Sequence, residues 1–121
     1  MASAEEAAVF EEMGLAPGER KCYLALLETG LTSAGPLIKR TGMQKSAVYF
    51  CLERLLDKGL ASFVMRNNIK YFEAARPERL LEYVDEREKE LEEHRKRVQA
   101  LLPGLERIVP RKEVFVFNGC S

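Results

Sequence analysis

The sequence predicts an α+β fold, mainly α, and three observations carry that reading. "LTSAGPLIKRTGMQKSAVYF" sets two short amphipathic helices on either side of a glycine-containing turn. "LASFVMRNNIKYFEA" then switches to the two-residue period of paired strands. From Leu80 onward, apolar residues recur in alternating steps of four and three through a highly charged segment, the spacing of a coiled coil. In that order these are a helix-turn-helix, a hairpin wing and a long coiled-coil helix, hence a winged helix-turn-helix fold.

Taken in order, residues 5–13 predict a short helix ending at Gly14, and "LAPGER" opens a second that runs through "KCYLALLETG". Tyr23, Leu24 and Leu27, with Leu26 beside them, give the second helix an apolar stripe, and Gly30 stops it. Thr32 or Ser33 can cap a third helix of about two turns that carries Leu37 and Ile38 and closes at Gly42. Pro36 is tolerated only in a first turn, which places the start near residue 33. The fourth helix, 44–58, buries Val48, Cys51, Leu52, Leu55 and Leu56 and turns Lys45, Ser46, Tyr49 and Arg54 away from them. Strands at 60–65 and 69–74 flank the turn residues Arg66, Asn67 and Asn68.

The long helix presents Leu80, Val84, Arg87, Leu91, His94, Val98, Leu101, Leu105 and Ile108 along one seam. Seven of these nine are aliphatic, which makes the repeat a dimerisation signal that Arg87 and His94 interrupt. Pro103 is expected to end or kink this helix, and "EVFVFNGCS" alternates like one β-strand. The expected domains are 1–76, the winged helix-turn-helix; 77–109, the dimerisation helix; and 110–121, a strand-like tail.

With 121 residues and 46% apolar content the chain has room for one modest core and an appendage. The longest apolar run is far below the ~20 residues of a membrane span, and the acidic N-terminus has no basic region leading into an apolar one. A soluble, cytoplasmic protein is expected. The formal net charge is zero, yet residues 1–30 hold six acids against two bases. Residues 31–76 hold eight bases against three acids, so the middle of the chain offers a footprint for phosphates. Cys22, Cys51 and Cys120 cannot make a zinc motif with the lone His94, and the first two are expected as buried thiols. With one histidine, no glycine-rich phosphate loop and no paired acids outside the salt-bridged helix, neither an enzyme nor a cofactor is expected.

The features "YLALLETG", "IKRTGMQKSAVY", "LERLLDKGL", the "KYFEA" strand and Pro77, spread over about residues 14–109, resemble the TrmB-like family of transcriptional regulators, common in archaea and also found in bacteria. The resemblance implies a dimeric repressor or activator that places the helix at 44–58 in the major groove of double-stranded DNA. Family members often continue into a C-terminal sugar-sensing domain, and "EVFVFNG" is similar to its first strand. This sequence stops at Ser121, so sugar sensing is not carried over and no small-molecule effector is expected in this chain.

The candidate DNA-binding residues are Ser33, Lys39, Arg40, Gln44, Lys45, Ser46, Tyr49, Arg54, Arg66, Asn67, Asn68 and Lys70. Arg and Lys suit guanine edges and phosphates, Gln44 suits adenine, and hydroxyls bond phosphate oxygens. The candidate homodimer seam is Leu80, Val84, Leu91, Val98, Leu101 and Leu105. Phe50 departs from the family's pattern, since a polar residue tends to stand there. Packing against the short first helix or the long helix is expected of it, ahead of thymine contact and of a protein-binding patch. The competing function is a winged-helix protein-interaction module, or an antagonist that heterodimerises with a longer regulator.

Overall fold

The structure, a computed structural model, describes residues 4–110. Its elements are α1 (Ala4–Glu12), α2 (Pro17–Thr29), α3 (Ala34–Thr41), α4 (Lys45–Asp57), β1 (Ala61–Arg66), β2 (Ile69–Ala74) and α5 (Arg79–Ile108). The architecture is that of a winged helix: a helical core carrying one two-stranded antiparallel sheet, then a long helix. The alternating tail at 114–117 and Cys120 lie outside the described residues.

The core forms where stripes spaced three and four residues apart converge. Leu26 of α2, Leu37 of α3, Val48, Leu52 and Leu55 of α4, and Leu60 are all buried, as is Leu15 before α2. Each fully buried leucine contributes roughly 1.5–3 kcal/mol through removal of apolar surface from water. In α2 the stripe differs from the sequence reading: Leu26 is core, whereas Leu27 is exposed. One residue is a 100° rotation on a helix, and Cys22, Tyr23 and Leu26 already fill the buried side. Close approach of α2 to α4 needs Gly18, where a Cβ would stand 2.8 Å from Cys51 Sγ.

Several boundaries follow from local chemistry. Pro36 falls in the first turn of α3, where its missing N–H costs nothing. Ser33 takes the extended conformation of an N-cap but makes no side-chain capping bond, and Thr32 Oγ1 donates to the Ser33 carbonyl at 3.0 Å. Capping of α3 by either side chain therefore does not occur. Thr32 is instead held through its backbone in a two-bond bridge with Phe72 of β2, at 2.9 and 2.6 Å.

The strands pair in the register Ala61↔Ala74 through Arg66↔Ile69. Arg66 thus belongs to β1 and the turn is Asn67–Asn68 alone, both with positive φ (53° and 65°). Two left-handed residues make the mirror-image turn whose twist matches a hairpin, and asparagine tolerates that conformation best after glycine. Entry to α5 is a tight turn in which the Leu80 N–H donates to the Pro77 carbonyl at 2.9 Å.

Pro103 does not end α5, which continues to Ile108. The carbonyl of Gln99, deprived of its helical donor, lies on an exposed surface where water can replace it. The chain divides into a compact unit ending at Glu86 and a second that begins at Arg87, with α5 running through the boundary.

Candidate nucleic-acid interface

The turn between α3 and α4 determines what α4 displays. Gly42 closes α3 in the left-handed conformation (φ 73°), its N–H donating to the Ile38 carbonyl at 3.0 Å. Such a cap suits glycine because it has no Cβ to clash. Thr41 Oγ1 then accepts the Met43 N–H at 3.2 Å, and Gln44 occupies the N-cap of α4 with no side-chain capping bond. With Val48, Cys51, Leu52 and Leu55 buried, α4 exposes Lys45, Ser46, Tyr49, Phe50, Glu53, Arg54 and Asp57. Cation and hydroxyl stand at the N-terminal end and the acids Glu53 and Asp57 at the other. Phosphates would therefore be attracted to the N-terminal half, the part of a recognition helix that reaches base edges.

Internal pairing divides the eight bases of residues 31–76. Arg40 Nε meets Glu28 Oε1 at 3.0 Å, Arg54 Nε meets Glu19 Oε2 at 3.4 Å, Lys58 Nζ meets Glu19 Oε1 at 2.5 Å, and Arg76 Nε lies 3.7 Å from Glu78. Lys39 and Lys45 make no ion pair among the described residues, and both are exposed. Arg66 lies over the Tyr71 ring at 5.7 Å and Lys70 over Phe63 at 4.6 Å, contacts that orient the cations without neutralising them. Among the described residues four positive charges of this segment remain without a carboxylate partner, two on the helix-turn-helix and two on the wing.

Glu19 is the residue that sequence reasoning passed over. It is buried, 4% exposed, and it accepts from Arg54, from Lys58 and, at 3.3 Å, from the Ala16 N–H at the start of α2. Lys58 also donates to the Gly14 carbonyl at 3.1 Å. One carboxylate so ties the N-terminal turn of α2 to the C-terminal end of α4 and holds α4 in place. The legible signal was Glu19 in the third position after Ala16, the reaching-back half of a capping box; its two cations come from 35 and 39 residues away. Arg54, expected on the DNA surface, is half-exposed but committed to this anchor.

A groove of about 450 Å³ separates α4 from the wing; its lining includes Ser33, Tyr49, Glu53, Asn68, Ile69 and Lys70. Four of the sequence-predicted residues, Ser33, Tyr49, Asn68 and Lys70, meet there. Arg40 and Arg54 lie outside it. The wing's outer face sets exposed Val64 and Ile69 beside half-buried Tyr71, an apolar surface the sequence analysis did not single out.

Phe50 corrects the expectation of packing. It is 64% exposed, and the Arg54 guanidinium lies 5.9 Å from its ring centroid. Positions 48, 51, 52 and 55 already occupy the buried arc of α4, so residue 50 is turned outward by helical geometry alone. Cys22 and Cys51 are buried free thiols, as expected. Burial, reinforced by Cys51, pushes the Cys22 thiol up to about 12, which keeps it protonated and chemically inert at neutral pH.

The family model described as sugar-specific transcriptional regulator TrmB matches residues 10–78, the segment just described. The chain belongs to the TrmB family. Among solved structures it is similar to TrmBL2, an archaeal chromatin protein, with 24% identity and a TM-score of 0.62 over 89% of this chain and 46% of that one. The TrmB-family chain thus spans about half the length of TrmBL2. It is also similar to a possible transcriptional regulator from Methanosarcina mazei Go1 (12% identity, TM-score 0.59, 86% and 94% covered). A third similar structure is the transcriptional regulator Tm0710 from Thermotoga maritima (19% identity, TM-score 0.53, 86% and 85% covered). At these identities the structures show the shared fold. No curated protein matches the chain. The family and these neighbours are transcriptional regulators.

Along α5 of this TrmB-family protein, Leu80 packs against the core of its own domain and Val84 is half-buried. Leu91, Val98, Leu101 and Leu105 are exposed, at 49–59%. His94 is exposed as well.

Proposed function

We propose that this TrmB-family protein is a sequence-specific DNA-binding transcriptional regulator that binds a palindromic operator as a homodimer. The observation that carries the reading is the survival of four uncommitted cations, Lys39, Lys45, Arg66 and Lys70, after internal pairing has consumed the rest of the basic segment. Two sit on the helix-turn-helix and two on the wing, the elements that grip the backbone on either side of a groove. Lys39, Lys45, Arg66 and Lys70 supply affinity through phosphates. Gln44, Lys45, Ser46 and Tyr49 read base edges, and Asn67 and Asn68 enter at the wing tip. Arg40 joins only by leaving Glu28, and Arg54 acts through the anchor that orients α4. The function needs no catalytic group.

A symmetric dimer joined through the exposed seam of α5 would set two recognition helices in successive major grooves, about 34 Å apart, which is why the operator is a palindrome. Selection of bound sequences from a random DNA pool tests this reading, with enrichment of an inverted repeat as the expected result. Lys39→Ala should then weaken binding to every sequence and lower the salt slope by about 1.

Exposed Phe50 favours a second reading, a winged helix whose recognition face docks on protein. It predicts no enriched DNA sequence and a partner affinity that changes little with salt, because apolar contacts are not screened.

A further inference from the structure

From the charges beside its exposed seam, we propose that α5 pairs with α5 of a second copy in antiparallel orientation, levelling Leu91 of each with His94 of the other. The inference rests on the homodimer reading and adds the direction and register of the contact. Spacing along α5 places Leu91 and Val98 at a positions and Arg87, His94 and Leu101 at d positions. Glu88 and Arg95 then fall at e, and Glu90 and Arg97 at g, the positions that flank a seam and choose partner orientation. All four are exposed, and among the described residues none of them makes an ion pair.

In a parallel pair, g positions meet e positions five residues on, so only Glu90 finds an opposite charge, Arg95 of the second copy. Each d layer faces itself, which sets Arg87 against Arg87 and His94 against His94. Two like guanidiniums levelled with each other across a seam repel, as do two imidazole rings once charged.

In the antiparallel register, g flanks g and e flanks e. Glu90 then lies beside Arg97 of the second copy and Glu88 beside its Arg95, each twice by symmetry, four attractive pairs in all. Arg87 is levelled with Val98 and His94 with Leu91, so neither polar seam residue meets its own copy. The acids at 85–93 and the bases at 95–97 make the helix electrically polar along its length, and reversal of direction brings the unlike ends together.

The test is a charge swap on the full chain, read as the dimer dissociation constant by sedimentation equilibrium at low salt, with helix content checked by circular dichroism. Glu90→Arg should weaken the dimer by about tenfold or more, since attraction becomes repulsion at two symmetric sites. Adding Arg97→Glu should restore it, and adding Arg95→Glu instead should not. Rescue by Arg95→Glu but not by Arg97→Glu would establish the parallel pair and overturn the proposal. So would a dimer indifferent to Glu90→Arg, which would place the contact elsewhere. A monomeric wild-type chain would instead overturn the homodimer reading on which the proposal rests.

Discussion

Replacing Glu19 with glutamine probes the anchor of α4 with almost no change of shape. Glutamine keeps a bond to the Ala16 N–H but removes the negative charge facing Lys58 at 2.5 Å and Arg54 at 3.4 Å. Deleting one partner of a buried ion pair costs roughly 3–5 kcal/mol, because the remaining charge is left in low dielectric. The Lys58 side chain is only 13% exposed and so bears most of that cost, while Arg54, 49% exposed, adds little more than a surface pair would. Lys58 retains the Gly14 carbonyl, which lowers the total to about 2–3 kcal/mol. For a domain of this size that is a fall in Tm of roughly 10–20 °C.

Urea unfolding of wild type, Glu19→Gln, Lys58→Met and the double variant, followed by circular dichroism, measures the loss and the coupling together. The two changes should be non-additive by more than about 1 kcal/mol, because once Lys58 is neutral the lost charge matters less. A Glu19→Gln protein within about 0.5 kcal/mol of wild type, or strictly additive changes, would refute the anchor.

Three further outcomes are expected. Burial holds the Cys22 thiol near 12 against an ordinary 9.0, so between these values the folded state binds more protons than the unfolded. Its stabilisation is complete below about pH 9 and falls by about 1 kcal/mol per pH unit above it; urea midpoints from pH 7 to 10.5 check this, and a flat profile would contradict it. Phe50→Ala should leave stability within about 0.5 kcal/mol, since the ring is largely solvated; a fall of 2 kcal/mol or more, roughly the cost of emptying a core site, would mean that it packs. Asn68→Val places a β-branched residue at φ 65° and should cost about 1–2 kcal/mol in thermal unfolding, whereas an unchanged Tm would rule out the left-handed turn.

Sequence alone determined what depends on local order: helix periodicity, the glycine stops at 30 and 42, the place of the hairpin turn and the four-three repeat along the last helix. All rest on contacts within a few residues, so they are legible without a third dimension, and so is the outward display of Lys45, Ser46 and Tyr49. Tertiary structure decided which cations are available. Glu19 lies 39 residues before Lys58, and Glu28 lies 12 before Arg40; nothing in the local pattern pairs them. The fold also turned Leu26 inward and left Leu27 exposed, because which arc of a helix is buried depends on what packs against it. Charge counted along the chain took no account of internal pairing, and folding set Arg40, Arg54 and Lys58 within 4 Å of a carboxylate while leaving Lys39, Lys45, Arg66 and Lys70 without such a partner among the described residues.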